Sequence, residues 1–402
     1  MPRMRIATIA VAAVGALVVA LSANAAPALS PRGGPSTSPS QVVGQVYVND
    51  NTAPVNTVAA FDRLANGTLT PVTGSPFVIG GSGTGHADAS QGSLELSSDG
   101  RYLLAVDAGS NQISVLRIKP DGSLQVAQGS PVASNGVNPV SIAVNGGLIY
   151  VANQGPGVSP GDTNYTGFTL NAGGHLRALP GSTVPLPSNS KPSDVLFNGD
   201  GSRLVGARTA SSQIDSFTVG NGGLLTAAPG SPFDAQAFTP TQGFGQLGSE
   251  FNPTNPDQLI VSDAHNAAGG GAPGLVSSFI DAADGTLAPI SPSPVKNDGV
   301  ASCWVEISHD GAYVFVVNTG SATVSSYSIG SGGALTFLHS TAAGEIGSGA
   351  EDDRLSPDGS TLWVVESGTN AVTGFSVSGG TLTPLSAANG PAGATPSGIV
   401  VT

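Results

Sequence analysis

The amino-acid sequence predicts an all-β fold, a seven-bladed β-propeller closed by its C-terminal strand. Three observations support this prediction: a strand–turn–strand phrase occurs seven times, an Asp-Gly hairpin precedes several of its copies, and the two ends of the chain resemble parts of one sheet. The copies lie roughly 50 residues apart, a period typical of propellers, in which each unit buries its faces against its neighbours.

The repeated phrase is a short apolar alternation, a turn rich in Asn, Asp and Gly, and a second short strand. One clear copy spans residues 111–116 and 121–124, and the last copy spans residues 371–375 and 379–382. Alternation of apolar and polar side chains is the mark of a half-buried strand, and the glycines suit tight turns between strands. Each copy therefore predicts the outer half of a blade.

A second hairpin lies upstream of the phrase and contains an Asp-Gly turn between two runs of β-forming residues. The clearest turns are Asp99-Gly100, Asp200-Gly201, Asp310-Gly311 and Asp358-Gly359. Asp-Gly is a strong hairpin signal because glycine adopts the positive φ that a tight turn requires. Two hairpins in each repeat predict blades of four strands around a central channel.

The ends of the chain predict how the ring closes. Residues 44–49 lack the strand that normally precedes them, and residues 396–401 form a strand without a hairpin partner. We expect the C-terminal strand to complete the first blade, because this pairing removes two exposed sheet edges at once.

The N-terminal segment predicts export from the cell. Arg3 and Arg5 precede an apolar run at residues 6–21, and small residues follow at 23–25, so residues 1–25 are expected to be a cleaved secretory signal peptide. Residues 26–42 are rich in Pro, Ser and Gly and are expected to be a disordered linker. The propeller is then expected to span residues 43–402, in a secreted protein without a membrane span after cleavage.

Charge and cysteine content limit the partners. The net charge is −13, and it becomes −15 once the two arginines of the predicted signal are removed. An acidic surface without a basic stripe repels nucleic acid and anionic lipid. Cys303, as the only cysteine, forms no disulfide within the chain and is interpreted as a core residue. We expect a monomer that binds a small polar ligand or an extracellular partner.

In a closed propeller, the second strand of each blade ends at the upper face, opposite the Asp-Gly turns. The sequence places polar residues at these ends, and we predict a ligand site at the upper mouth of the channel. Its predicted catalytic residues are Arg208, Asp194, Asp263 and Glu250. Its predicted ligand-binding residues are Asp107, Asn153, Asn318, Glu366, His265 and Asp352.

The residue types suggest the chemistry of this mouth. The guanidinium of Arg208 suits a carboxylate, a phosphate or a lactone carbonyl, and crowded carboxyls produce a general base. The alternative is a structural salt bridge from Arg208 to Asp263 or Asp194. No cofactor is required; Ca²⁺ would suit the carboxylate and amide oxygens, but no ion-binding loop motif supports it.

The chain resembles the seven-bladed lactonase family, which includes bacterial 6-phosphogluconolactonases and the fungal 3-carboxymuconate lactonising enzyme. The resemblance rests on Ser-Pro-Asp-Gly hairpins such as residues 356–359, on the Tyr-Val-Ala-Asn run at 150–153, and on repeated Gly-x-Leu outer strands. It covers nearly all of residues 44–402. It implies a propeller fold and hydrolysis of a lactone or another cyclic ester.

Several positions depart from the pattern that the resemblance implies. Gly92 stands where such lactonases carry a histidine, and Trp304 stands where they carry a glutamate, with Glu306 as a substitute on the same strand face. We therefore predict a divergent, secreted lactonase-like propeller, with no activity expected on a phosphorylated cytoplasmic substrate. The alternative is a non-catalytic extracellular module that binds a protein or a glycan.

Overall fold

The computed structural model describes residues 38–155, 161–235, 244–265, 273–390 and 393–402. The predicted signal peptide, at 1–25, and most of the predicted linker lie outside the described residues. The described residues form seven antiparallel sheets arranged in sequence order, which confirms the predicted seven-bladed β-propeller. No helix in the described ranges is long and apolar enough to cross a membrane.

The strands are numbered in chain order. Blade 1 contains β1 (Val42–Asn49), β2 (Thr57–Leu64), β3 (Leu69–Pro71), β4 (Phe77–Val78) and the C-terminal β34 (Gly398–Val401). Blade 2 contains β5 (Leu94–Leu96), β6 (Tyr102–Asp107), β7 (Gln112–Ile118), β8 (Leu124–Val126) and β9 (Val132–Ala133), with a short 3₁₀ helix (Ala108–Ser110) between β6 and β7. Blade 3 contains β10 (Pro139–Asn145), β11 (Leu148–Asn153), β12 (Asn164–Leu170), β13 (Leu176–Ala178) and β14 (Val184–Pro185).

The remaining four blades follow the same plan. Blade 4 contains β15 (Pro192–Phe197), β16 (Arg203–Arg208), β17 (Gln213–Val219), β18 (Leu225–Ala227) and β19 (Phe233–Asp234). Blade 5 contains β20 (Phe244–Asn252), β21 (Asn255–His265), β22 (Pro273–Asp281), β23 (Leu287–Pro289) and β24 (Val295–Val300). Blade 6 contains β25 (Ser302–Ile307), β26 (Tyr313–Asn318), β27 (Thr323–Ile329) and β28 (Leu335–Ala342). Blade 7 contains β29 (Ala350–Leu355), β30 (Thr361–Glu366), β31 (Ala371–Ser378), β32 (Thr381–Pro384) and β33 (Ala388–Asn389).

The ring closes as the sequence predicts. Strand β34 pairs antiparallel with β1, with Val401 opposite Val46 and Gly398 opposite Asn49, so it becomes the innermost strand of blade 1. The closure joins the last residues of the chain to the first blade and covers the inner edge of β1.

Apolar clusters between neighbouring blades hold the ring together. Tyr47 and Val58 of blade 1 pack with Leu103 and Ala105 of blade 2, and six further clusters repeat this arrangement around the described ring. Because each blade face is covered only by the next blade, the core grows with the number of repeats.

In six blades the outer strand is divided into two short strands that both pair with the third strand. In five of these blades a serine side chain replaces the missing hydrogen bond between them. The Ser75 hydroxyl accepts a hydrogen bond from the Ala60 amide at 2.8 Å, and Ser130 accepts one from the Val115 amide at 2.7 Å. The same bond, always fifteen residues apart in sequence, is made by Ser182, Ser231 and Ser293. The serine satisfies an amide of the third strand that would otherwise lack a partner.

The Asp-Gly turns form at the lower ends of the inner hairpins, and we call this side of the ring the turn face. The turn glycines Gly100, Gly201, Gly311 and Gly359 have φ between 67° and 70°, as the tight turn requires. Asp99 accepts hydrogen bonds from the Ser97 hydroxyl at 2.8 Å and from the Arg101 amide at 3.1 Å. These side-chain bonds fix the turn.

Candidate functional site

The polar residues at the upper ends of the second strands are buried within the blades, so they do not form an open mouth. Their exposed fractions lie between 0% and 5%. These residues are Asp107, Asn153, Arg208, Asp263, Asn318 and Glu366. Each bonds to residues at or near the beginning of the third strand of its own blade. Their predicted place at the rim of the channel is therefore wrong.

The contacts are short and directed. Asp107 accepts a hydrogen bond from the Ser114 hydroxyl at 2.6 Å, and Asp263 accepts one from Ser277 at 2.6 Å. Asn153 donates to Asn164 at 2.9 Å and Asn318 donates to Ser325 at 2.8 Å, while Glu366 accepts from Thr369 and Thr373. Such bonds satisfy buried polar groups where the upper loops leave the sheet.

Arg208 forms a structural ion pair, but with a different partner from either carboxylate expected. Its Nε and Nη2 atoms donate to the two carboxylate oxygens of Asp215 at 2.6 and 2.5 Å. The Tyr165 hydroxyl also donates to Asp215, at 2.9 Å. The expected pairing with Asp263 or Asp194 is therefore wrong, and the guanidinium faces into blade 4. A catalytic role of Arg208 stays a prediction.

A segment of blade 2 crosses the channel on its upper side. The Gln91 amide bonds to Ser193 O of blade 4 at 3.0 Å, and its side-chain Nε2 donates to Ser249 O of blade 5 at 3.0 Å and to Val305 O of blade 6 at 3.1 Å. The Trp304 indole donates to Ser90 O at 2.6 Å. Because the backbone and side chain of this one residue together bond to three blades on the far side of the ring, Gln91 closes the channel from above.

Below this crossing, the channel holds two adjoining cavities that share Glu95, Leu96, Glu250 and Arg354 as walls. The first, which we call the Asp194 lobe, has a volume of about 410 Å³ and reaches from Gln91 to the exposed Ser98 at the turn face. The second, the His309 lobe, has a volume of about 340 Å³ and reaches the exposed His309. The candidate site thus opens at the turn face, not at the predicted upper mouth.

The charged walls share one place in the repeat. Glu95, Glu306 and Arg354 each lie four residues before the aspartate of an Asp-Gly turn, and Glu250 occupies the matching register of blade 5, opposite Ile260. Alternation along the innermost strand directs this position to the channel. The spacing from the turn is the sequence signal that could have identified Glu95 and Arg354 as site residues.

Arg354 lies between two carboxylates. Its Nη2 atom is 2.9 Å from Glu95 Oε1, and its Nη1 atom is 3.7 Å from Glu306 Oε2. Burial by itself lowers the pKa of Arg354, but the carboxylates of Glu95 and Glu306 raise it well above its usual value. The guanidinium therefore stays charged, and its Nε has no hydrogen-bond partner among the described residues.

Asp194 and Glu250 are the two predicted catalytic residues that the structure brings together, since both line the Asp194 lobe. Asp194 accepts hydrogen bonds from the Ser249 amide at 2.8 Å and hydroxyl at 2.6 Å, and burial raises its pKa to about 7. Burial, followed by the charge of Glu306, raises the pKa of Glu250 well above its usual value. No hydrogen bond holds the Glu250 carboxyl within the described ranges, so it is the less constrained base.

The other predicted residues lie elsewhere. Asp352 is fully buried two residues before Arg354, where burial raises its pKa to about 8. The side chain of His265 lies outside the described residues. Cys303 is buried, as its interpretation as a core residue predicted. Among the described residues, no group of three or more His, Cys, Asp or Glu side chains has an arrangement that could hold a metal ion. Calcium binding stays untested.

Comparison with known proteins identifies the family. A family model described as lactonase, 7-bladed β-propeller, matches residues 55–159 and 254–401, which is more than half of the chain. The chain belongs to this lactonase family. The matched ranges of the lactonase model include Glu95, Glu306 and Arg354, whereas Asp194 and Glu250 fall in the unmatched interval.

Solved structures agree with the lactonase fold. A protein from Lactobacillus plantarum is 17% identical, with a TM-score of 0.68 over 90% of this chain and 100% of its own. The periplasmic gluconolactonase of Pseudomonas aeruginosa is 18% identical, with a TM-score of 0.67 over 89% and 98%. A proposed 6-phosphogluconolactonase of Bacteroides fragilis is 20% identical, with a TM-score of 0.62 over the same shares. A search of the curated proteins finds no match.

Proposed function

We propose that this protein hydrolyses a lactone or another cyclic ester in the channel cavities below Gln91. One observation carries the proposal: in a propeller of the lactonase family, Arg354 and Glu250 line both lobes of a channel site. A cation for the carbonyl oxygen and a carboxyl for the attacking water are the two groups that ester hydrolysis needs. The names of the P. aeruginosa and B. fragilis structures support the same reaction class.

The reaction assigns a task to each group. Glu250 takes a proton from a water molecule, whose oxygen attacks the lactone carbonyl carbon. The guanidinium of Arg354 donates hydrogen bonds to the carbonyl oxygen as negative charge develops on it. When the ring C–O bond breaks, protonated Glu250 returns the proton to the ring oxygen, which becomes the hydroxyl of the product. Burial supports this task of Glu250, because a raised pKa makes its carboxylate a stronger base.

Lactone hydrolysis by purified protein tests the proposal. A panel of sugar, aromatic and alkyl lactones is followed by acid release in a pH-stat. Glu250→Gln is expected to lower kcat by about 10²- to 10⁴-fold, the usual contribution of a general base. Arg354→Lys keeps the charge but changes the donor geometry, and we expect a loss of about 10²-fold.

Asp263→Asn is the matched control, because Asp263 is a buried carboxyl of the upper face that does not line either lobe. Thermal unfolding of all variants verifies that they fold. The proposal fails if wild-type protein opens none of the lactones, or if Asp263→Asn loses activity while Glu250→Gln retains it.

We also propose that the protein is exported, since residues 1–25 carry the charge and hydropathy pattern of a secretory signal. Expression of the full chain, followed by fractionation and N-terminal sequencing, tests this. The expected mature N-terminus is Ala26. A protein that stays in the cytoplasm with Met1 intact would contradict export.

A further inference from the structure

The two lobes differ in the character of their walls. The Asp194 lobe has the polar residues Gln91, Asp194 and Ser249 at its inner end, and its lining also includes apolar residues such as Ile142 and Phe197. Beyond the shared walls, the His309 lobe is lined mainly by aliphatic and proline side chains. These are Ile307, Leu355, Val400, Val401, Pro253 and Pro357, with Glu306 beside Arg354 and His309 at the rim. A ligand that spans both lobes therefore meets polar groups beside Asp194 and mainly apolar groups in the His309 lobe.

The charges of the site oppose an anionic ligand. Arg354 is the only arginine that lines either lobe within the described ranges, no lysine joins it there, and Glu95 and Glu306 already neutralise it. Asp194 and Glu250 add two further carboxyl groups. A phosphate or carboxylate on the ligand would have to replace a carboxylate partner of Arg354 or lie beside the remaining acids, and both arrangements are unfavourable.

The position of the opening also favours a ligand with an apolar group. Gln91 closes the upper side, so a ligand reaches the site past Ser98 or His309 on the turn face. The prolines Pro253 and Pro357 are exposed at this rim. An apolar group placed in the His309 lobe would cover these side chains and remove their surface from water, which is favourable in proportion to the area buried.

We propose that the ligand of this site is an uncharged lactone with an apolar alkyl or aryl substituent, the ring lying in the Asp194 lobe and the substituent in the His309 lobe. This inference rests on the proposed hydrolysis and adds the class of substrate. The same arrangement of carboxyls disfavours a phosphorylated sugar lactone.

A chain-length series tests the substrate class. Hydrolysis is measured for γ-lactones with alkyl substituents of increasing length and for 6-phosphogluconolactone. Binding of the corresponding γ-lactams, which resist hydrolysis, is measured by calorimetry on wild-type protein. We expect kcat/KM and lactam affinity to rise about threefold to fourfold for each added methylene until the lobe is full, as apolar burial predicts, and the phosphorylated lactone to react slowest.

Two rim variants locate the substituent. His309→Trp narrows the His309 lobe and is expected to remove the chain-length dependence, while Ser98→Trp, at the rim of the other lobe, keeps it. The inference is overturned if the phosphorylated lactone reacts best. It is also overturned if kcat/KM does not change with chain length in wild-type protein, or if His309→Trp keeps the wild-type dependence on chain length. If lactams bind with the expected dependence and no lactone is opened, the ligand class stands and the proposed reaction fails. If no lactam binds and no lactone is opened, both are rejected.

Discussion

Asp353 offers a sharp test of the packing between blades. The equivalent register position on the innermost strand is apolar in three other blades, with Leu94 opposite Ala105, Val195 opposite Gly206 and Val305 opposite Val316. Asp353 is 2% exposed, and neither of its carboxyl oxygens has a hydrogen-bond partner among the described residues. Replacing it with valine, as in blades 4 and 6, should therefore stabilise the fold.

The magnitude follows from two contributions. A buried polar group without a partner costs about 1–3 kcal/mol, and burial of a valine side chain contributes about 1.5 kcal/mol. We expect the free energy of unfolding of Asp353→Val to exceed that of wild-type protein by about 2.5–4.5 kcal/mol near pH 4, before the unfolded chain releases the Asp353 proton. Urea unfolding followed by circular dichroism and tryptophan fluorescence measures the difference.

The pH dependence of the stability difference shows whether the buried Asp353 carboxyl causes it. Burial, and then the charges of Glu306 and Asp352, raise the pKa of Asp353 well above its usual value, so the folded state keeps the proton that the unfolded chain releases. Rising pH therefore favours unfolding through this group. The advantage of Asp353→Val should grow above about pH 4, by at most about 1.4 kcal/mol per pH unit, until the folded carboxyl also ionises.

Asp353→Asn is the matched control, because it has nearly the same shape but does not titrate. It should remove the pH-dependent part of the difference without the gain from apolar burial. The reasoning is refuted if Asp353→Val is less stable than wild-type protein throughout this pH range, or if its advantage does not change with pH.

Two further predictions concern the ion pairs. Arg208→Met leaves Asp215 buried without its ion-pair partner and should lower the free energy of unfolding by about 3–5 kcal/mol. The double variant with Asp215→Leu should recover most of this loss in urea unfolding. An equal loss in both variants would contradict a structural role of the pair. Glu306→Gln removes a negative charge that raises the pKa of Glu250, so the rising limb of the pH–kcat profile should move to lower pH, and an unmoved limb would argue against Glu250 as the base.

The sequence determined the architecture because the relevant interactions are local and repeat. The Asp-Gly turns fix each inner hairpin within a few residues, and alternation along the strands sets which side chains face the next blade. The spacing from these turns also predicts that Glu95, Glu306 and Arg354 lie at the channel. Their charges alone do not show that they line a functional site.

Only the tertiary structure decided where the site lies. Gln91 bonds to residues of three blades that follow it by more than a hundred positions, and no local pattern predicts that this side chain closes the upper side of the channel. The pairing of Arg208 with Asp215 likewise depends on side-chain direction within a blade. A polar residue at a given repeat position is buried when a partner lies within hydrogen-bond distance, and it lines a cavity when no such partner is near. The folded ring determines which of the two applies.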